Sequence, residues 1–193
     1  VLIYFSRELQ DRVIRLFAAI PVPSPALERV TALLDEFRER TWPVRWVPGT
    51  GVHLTLKFYG EVADERIDAI AESIAFAAAG TGPLSLQLGR LGAFPSWERA
   101  RVVWLGVEAP PALELLQDRV ERHAESLGFP VEGATYRPHV TLGRVREGER
   151  LTAGAIKALQ DRALADAFTI DEVVLYQSKL DRQAPGYIPI RTF

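Results

Sequence analysis

The sequence predicts an α+β fold made of two similar lobes, and three observations support this class. Strand-like alternation and helix-like spacing of apolar residues interchange along the chain, which is unlike a helical bundle. Too few strand–helix–strand crossovers follow one another for a doubly wound sheet. The motif His53-Leu54-Thr55-Leu56 returns 86 residues later as His139-Val140-Thr141-Leu142. We therefore expect two lobes of antiparallel sheet and helices, related by a pseudo-twofold axis, around a central cleft that carries both motifs.

Two further pairs of features keep the 86-residue offset between the motifs. Residues 25–28 and 111–114 both read Pro-Ala-Leu-Glu, and Arg15 corresponds to Arg101. A register shared by three features indicates an internal duplication.

The first half begins with a strand and a helix. The strand covers residues 13–20 and ends at a run of prolines. Ser24 and Pro25 then provide an N-cap and a first-turn proline, and apolar residues recur at helical spacing up to about Arg40. This pattern predicts an amphipathic helix that faces the core.

The rest of the first half contains three strands and one helix. In order, the pattern predicts a strand at 44–47, the first His-x-Thr strand up to about Tyr59, a helix from Asp64 that ends before Gly80, a strand at 84–88 and a loop at 92–99.

The second half repeats this order. It predicts a strand at 101–108, a helix from Pro111 to Gly128, the second His-x-Thr strand, a weaker helix from 152 to about 166, a strand at 168–177 and a last strand at 187–193 that closes a sheet edge.

Composition limits the possible functions. The 193 residues include 48% hydrophobic and 25% charged side chains, as in an ordinary globular domain. A net charge of −2 argues against coating of a nucleic-acid backbone, so any contact with nucleic acid should be local. The absence of cysteine excludes disulfides, thiol nucleophiles and thiolate zinc sites, and makes the cytoplasm the expected compartment.

The first twelve residues are interpreted as an N-terminal extension that precedes one bilobal domain at residues 13–193. They have neither the basic start of a signal peptide nor the long apolar run of a membrane span. We expect no membrane partner, and we expect a monomer.

The repeated motif suggests acid–base chemistry at phosphorus. In a strand, residues two apart share a face, so each motif presents a histidine beside a threonine hydroxyl. One neutral and one protonated imidazole can supply a base and an acid in one turnover. The hydroxyls could hold the non-bridging oxygens of a phosphate as charge develops. This mechanism requires no metal and no cofactor.

The histidines have two other interpretations. A single histidine beside a threonine is commonly a structural pair, although the duplication favours function. A zinc site built from His53, His139 and a carboxylate finds no support in close ligand spacing. His123 lies on the apolar stripe of its helix and is read as structural.

Several segments resemble one family. Residues 53–56 and 137–144 resemble the paired His-x-Thr-x signatures of the 2H phosphoesterases. Residues 15–20, 58–62, 91–95 and 171–178 are similar to the bacterial and archaeal RNA 2′,3′-cyclic phosphodiesterase branch, historically called 2′-5′ RNA ligase. The resemblance covers nearly all of residues 13–193. It implies a hydrolase that opens a 2′,3′-cyclic phosphate at an RNA end to leave a 2′-phosphate, with 2′-5′ ligation as a possible reverse activity.

The resemblance also implies roles for individual residues. His53 corresponds to the proton donor and His139 to the proton acceptor, while Thr55, Thr141 and Arg144 correspond to the phosphate-binding residues. Strict alternation would place Arg144 on the wrong face of its strand. Gly143 offers a way out, because a glycine within a strand often marks a bulge that redirects the side chains after it. A surface salt bridge is the alternative for Arg144.

Three further residues are weaker candidates. Lys57 shares the parity of His53 and could contact phosphate. Phe58 and Phe94 could stack on a base, as aromatic side chains do with single-stranded ends. All three could equally be ordinary solvated or core residues.

Two classes of function are compatible with these residues. The first is an enzyme that acts on RNA ends or cyclic nucleotides. The second is a nucleotide-binding module of the same fold without turnover, which would have little need of two proton-transfer groups. Incubation with a 2′,3′-cyclic nucleotide and a cyclic-phosphate-ended oligonucleotide, without added metal, separates the two.

Overall fold

The chain is described by a computed structural model that covers residues 13–179 and 186–193. The predicted N-terminal extension at residues 1–12 lies outside the described residues. Helices and strands interchange along the described chain, which confirms the predicted mixed class. The elements are β1 (Val13–Pro21), α1 (Ala26–Arg38), β2 (Val44–Trp46), β3 (His53–Ala63), α2 (Ile67–Ala78), β4 (Leu84–Phe94), β5 (Val102–Glu108), α3 (Pro111–Ser126), β6 (His139–Val145), α4 (Ala153–Gln160), β7 (Ala167–Ile170), β8 (Val174–Lys179) and β9 (Gly186–Thr192).

The strands form one antiparallel sheet. Its order is β7-β4-β5-β6-β3-β1-β8-β9, and β2 pairs with β6 beside this path. The central strands β3 and β6 are joined at the ladder pair Leu54–Val140. The two halves of the chain therefore meet inside a single sheet, and both His-x-Thr motifs lie at its centre.

One face of the two central strands is buried. Leu54 and Leu56 of β3 and Val140 and Leu142 of β6 are each at most 2% exposed. Burying such a side chain stabilises the fold by about 1.5–3 kcal/mol. This burial fixes the register, because a slip of one residue would exchange the buried face with the face that carries histidine and threonine.

The helices supply much of the packing around this core. In α1, Val30, Leu34 and Phe37 are almost completely buried, at the spacing of one helical face. In α3, Leu113 and Val120 are buried in the same way. The amphipathic helices predicted at these two places are confirmed. Among the described helices, none has the length and hydropathy that a bilayer span requires.

Four predicted boundaries are wrong. The first His-x-Thr strand, expected up to about Tyr59, runs to Ala63. The helix expected up to about residue 166 ends at Gln160. The strand expected at 168–177 is two strands, because β7 pairs with β4 near one edge of the sheet whereas β8 pairs with β1 on the other side of its centre. The loop expected at 92–99 starts later, because pairing with β5 extends β4 through Phe94.

Candidate active site

The four motif side chains occupy facing positions on β3 and β6. Leu54 pairs with Val140 in an antiparallel ladder, so the register places His53 opposite Thr141 and Thr55 opposite His139. All four side chains are half-buried. The structure therefore brings both histidines and both hydroxyls onto one small area.

A β-bulge follows each motif at the same place. On β3, Thr55 pairs with Ala19 but Lys57 pairs with Ala18, which leaves Leu56 as the extra residue. On β6, Thr141 pairs with Trp104 but Gly143 pairs with Val103, so Leu142 is the extra residue. Each bulge resets the alternation of faces, and the side chain three residues after each threonine turns toward the motif face.

The second bulge brings Arg144 to the site. It reverses the parity that strict alternation would give Arg144, in agreement with the expectation based on Gly143. A Cβ atom at Gly143 would lie 2.7 Å from side-chain atoms of Trp46 and Val44, so glycine allows β2 to approach β6 at this point. Arg144 then lines the same cleft as His53, Thr55 and Thr141.

The first bulge has opposite consequences for Lys57 and Phe58. The structure contradicts the prediction that Lys57 contacts phosphate, because the bulge at Leu56 turns Lys57 into the interior, where it is 1% exposed and bonded to Glu121. Phe58 takes the outward position, is 52% exposed and lines the cleft. The first half thus presents an aromatic ring at the position where the second half presents Arg144.

The cleft has a volume of about 470 Å³. His139 is not one of its lining residues, but it lies two positions before the lining residue Thr141 on the same strand face. Its ring packs against Phe94 and Trp104, with centroids 5.1 Å and 5.9 Å away. Phe94 thus supports the histidine ring, and its contact with a base stays a prediction.

Each histidine is oriented by a backbone group two residues earlier. Nδ1 of His139 lies 2.6 Å from the carbonyl oxygen of Arg137. A carbonyl oxygen can only accept, so Nδ1 carries the hydrogen and Nε2 is left for chemistry. His53 makes a corresponding backbone hydrogen bond with Gly51. The ring of His139 is therefore set to exchange a proton through Nε2.

Burial favours the neutral form of both rings. It lowers the pKa of His53 from 6.5 to about 4, opposed by the hydrogen bond with Gly51 and reinforced by positive charge on His139. Burial also lowers the pKa of His139, opposed by its bond with Arg137. Phe17 and Tyr187 surround His53, with ring centroids 4.9 Å and 5.0 Å from its own. Both imidazoles are therefore mainly neutral at pH 7 when the cleft is empty.

Sequence reasoning missed several residues of the cleft. Tyr187 and Ser178 come from β9 and β8, while Arg45 and Arg146 come from β2 and the end of β6. No short motif links these residues to the histidines, since they reach the cleft only through strand pairing. Arg15 also lines the cleft, and the sequence signals for it are its place in the duplication and in the segment 15–20 that resembles the family.

The structure also bears on a possible metal site and on the position of His123, the third histidine. Within residues 13–179 and 186–193, no three His, Asp or Glu side chains gather closely enough to hold a metal ion. His123 is half-buried on α3, with its ring 5.3 Å from that of Phe76.

The chain is similar to proteins of one family. A model described as the 2′-5′ RNA ligase superfamily matches residues 21–182, which include both motifs. A relative in Aeropyrum pernix, named RNA 2′,3′-cyclic phosphodiesterase, is 34% identical over 82% of this chain and 90% of its own length. One of the same name in Geobacillus stearothermophilus is 31% identical over 92% of this chain, which spans 56% of that protein.

A solved structure has the same fold. E. coli LigT complexed with 3′-AMP is 26% identical in sequence and superposes with a TM-score of 0.70. The match covers 94% of this chain and 98% of that one.

Proposed function

Because the chain belongs to the 2′-5′ RNA ligase superfamily, we propose that it hydrolyses the 2′,3′-cyclic phosphate at an RNA end to leave a 2′-phosphate. One observation carries the proposal. Two histidines, each opposite a threonine, lie on the same face of neighbouring strands beside a cleft. Relatives of similar length bear the name RNA 2′,3′-cyclic phosphodiesterase, which supports the same reaction for this chain.

In the proposed reaction, His139 removes a proton from the attacking water and His53 gives one to the leaving oxygen, on opposite sides of the phosphorus. Nε2 of His139 takes a proton from water as the water oxygen forms a bond to phosphorus. The bond from phosphorus to O3′ breaks, and protonated His53 gives its proton to O3′. The products are a 2′-phosphate and a free 3′-hydroxyl. General acid and general base catalysis are each typically worth about 10²–10⁴ in rate.

The remaining side chains of the site stabilise charge and hold the substrate. Thr55 and Thr141 donate hydrogen bonds to the non-bridging oxygens, and Arg144 places a positive charge beside them. Phe58, exposed in the cleft, offers a ring face on which a base can stack. This arrangement uses no metal ion.

The negative charge of the substrate stabilises the protonated histidine that this mechanism needs. Burial keeps both imidazoles mainly neutral in the empty cleft. A bound phosphate monoanion favours the imidazolium form of a neighbouring histidine, because an opposite charge raises the pKa of a base. Substrate binding is therefore coupled to uptake of a proton by the acid.

We also propose that the site arose by duplication of one unit into two pseudo-twofold-related lobes of a single domain. The strand order supports this. From the central β6–β3 pair outward, β5 and β4 on one side correspond to β1 and β8 on the other. The matching bulges and the matching backbone bonds of the histidines agree with it. Since one chain supplies both histidines, it is expected to act as a monomer.

Ligation is a chemical extension of the same step. If a 5′-hydroxyl of another RNA replaces water, His139 takes its proton and a 2′-5′ phosphodiester forms as O3′ leaves.

Phosphorus NMR of the product tests the proposal. A 2′,3′-cyclic nucleotide and a cyclic-phosphate-ended oligonucleotide should each give a 2′-phosphate at a rate proportional to protein concentration. Tight binding without turnover of either would identify a nucleotide-binding module instead, and a 3′-phosphate product would contradict the proposed direction of ring opening.

A further inference from the structure

The lining of the cleft is rich in arginine. Arg15, Arg45, Arg144 and Arg146 all line the cleft that holds His53. Among the described residues, none of the four has a carboxylate oxygen within 4 Å of its guanidinium. Four arginines without a carboxylate partner thus line one cleft of a chain whose net charge is −2.

The pairing of β2 with β6 brings two of these arginines together. Arg45 and Arg144 are direct cross-strand partners, an arrangement in which like charges destabilise a sheet. Arg146 lies two positions after Arg144, just beyond the end of β6, and lines the same cleft. A bound anion would relieve the repulsion among these three guanidinium groups.

The reaction at the cyclic phosphate does not need all of these charges. Thr55, Thr141 and Arg144 suffice for one phosphate, which leaves Arg15, Arg45 and Arg146 without a role in the proposed function. Glu147 also lines the cleft, so the lining of the cleft is not uniformly basic. A guanidinium group can donate two parallel hydrogen bonds to the oxygens of a phosphate. The remaining arginines could therefore hold a second phosphate of the same molecule.

We propose that Arg45 and Arg146 form, beside Arg144, a second subsite that binds the phosphate on the 5′ oxygen of the terminal nucleoside. The inference rests on the proposed function and narrows its substrate. In an RNA strand, that phosphate is the phosphodiester that joins the terminal nucleoside to the preceding one. The preferred substrate is therefore the end of a strand, and a free cyclic nucleotide that lacks a 5′-phosphate fills only part of the site.

Three substrates separate the possible sources of the second phosphate. They are a 2′,3′-cyclic nucleoside phosphate, the same compound with a 5′-phosphate, and a dinucleotide that ends in a 2′,3′-cyclic phosphate. A charged hydrogen-bonding partner should raise kcat/KM about tenfold or more for the second and third substrates over the first. The dinucleotide should be at least as good as the 5′-phosphorylated compound. If the 5′-phosphorylated compound is preferred over the unphosphorylated one but the dinucleotide is not, the ligand is a free nucleotide and the assignment to a strand end is overturned.

Substitutions of Arg45 and Arg146 test whether these two residues form the subsite. Arg45→Gln and Arg146→Gln should bring the ratio of kcat/KM between dinucleotide and unphosphorylated substrate toward one. Arg122→Gln, which removes an exposed arginine on α3, should leave it unchanged. Because the ratio is taken within each variant, loss of folded protein cancels. A ratio near one in the wild type, or a ratio kept by both cleft variants, would overturn the inference.

A binding measurement keeps the inference separate from the proposed function. Calorimetry with nucleoside 2′-phosphates, with and without a 5′-phosphate, reports on the subsite even if no substrate turns over. The 5′-phosphate should tighten binding about tenfold in the wild type but not in Arg45→Gln, and equal affinities in the wild type would contradict the subsite. Turnover of the simplest cyclic nucleotide tests the proposed function alone.

Discussion

Nζ of Lys57 lies 2.7 Å from Oε2 of Glu121 and 2.6 Å from the carbonyl oxygen of Pro130, inside the protein. The contacts tie the strand of His53 to α3 and to the segment that leads into the strand of His139. Gln117, one helical turn before Glu121, donates to Glu121 and to the carbonyl of Leu56, the extra residue of the bulge. A buried ion pair thus lies behind the face that carries the motif side chains.

Breaking this ion pair should destabilise the fold. Lys57→Met leaves the carboxylate of Glu121 buried without its partner, which typically costs about 3–5 kcal/mol. The free energy of unfolding in denaturant measures the loss. Replacing both residues, as Lys57→Met with Glu121→Leu, should recover most of it, because no unpaired charge remains. A single variant as stable as the wild type would show that the pair is unimportant to the fold.

Gly143, the residue after the bulge at Leu142, should be required for activity. In Gly143→Ala, the new Cβ would meet Trp46 and Val44 at 2.7 Å, so β2 must shift and Arg144 loses its position. We expect a loss of about 1–3 kcal/mol in stability together with a fall in kcat/KM. Gly133→Ala is the matched control, because a Cβ there meets nothing within 4 Å. Full activity of Gly143→Ala would separate the bulge from catalysis.

The pH dependence of kcat/KM should follow the lowered pKa values. One imidazole must be protonated and the other neutral, so the profile should be bell-shaped. Burial lowers the pKa of His53 to about 4 and the pKa of His139 below 6.5. The maximum of kcat/KM, which reports on the free enzyme, should therefore lie below pH 6.5. The kcat profile should peak at higher pH because the bound anion raises the pKa of its neighbours. A kcat/KM maximum above pH 7 would contradict these assignments.

Hydrolysis should not depend on a metal ion. The proposed acid, base and charge-stabilising groups are all side chains of the chain, so activity should persist in an excess of chelator. The measurement is the initial rate before and after dialysis against chelator. Complete loss of activity, restored by a divalent cation, would replace the proposed mechanism with a metal-assisted one.

Much of the central site could be predicted from the sequence because its pattern is local. The alternation within 53–56 and 139–142 determines which face is buried, and the repeat at a fixed offset indicates that the two strands are equivalent. Gly143 even signals one bulge, because a glycine within a strand is unusual. The equivalent bulge at Leu56 carries no such residue, so strict alternation predicts Lys57 on the face of His53, and the structure places it on the opposite, buried face.

Other features depend on contacts between distant segments. Nothing near Arg45 indicates that it pairs with Arg144, and nothing near Tyr187 indicates its contact with His53, since both follow from the order of strands in the sheet. The division of residues 168–177 into two strands also depends on which partner each strand finds. Sequence periodicity describes the exposure of a segment but not the identity of its neighbour.

The central claim is that His53 is the acid and His139 the base, and a change of leaving group tests it most directly. With the cyclic phosphate, His53→Ala and His139→Ala should each lose about 10²–10⁴ in kcat, while His123→Ala stays near the wild type. A phosphodiester with a nitrophenolate leaving group needs no proton on departure. His53→Ala should then approach the wild-type rate, whereas His139→Ala should remain impaired. Recovery of His139→Ala instead, or of neither variant, would contradict the assignment.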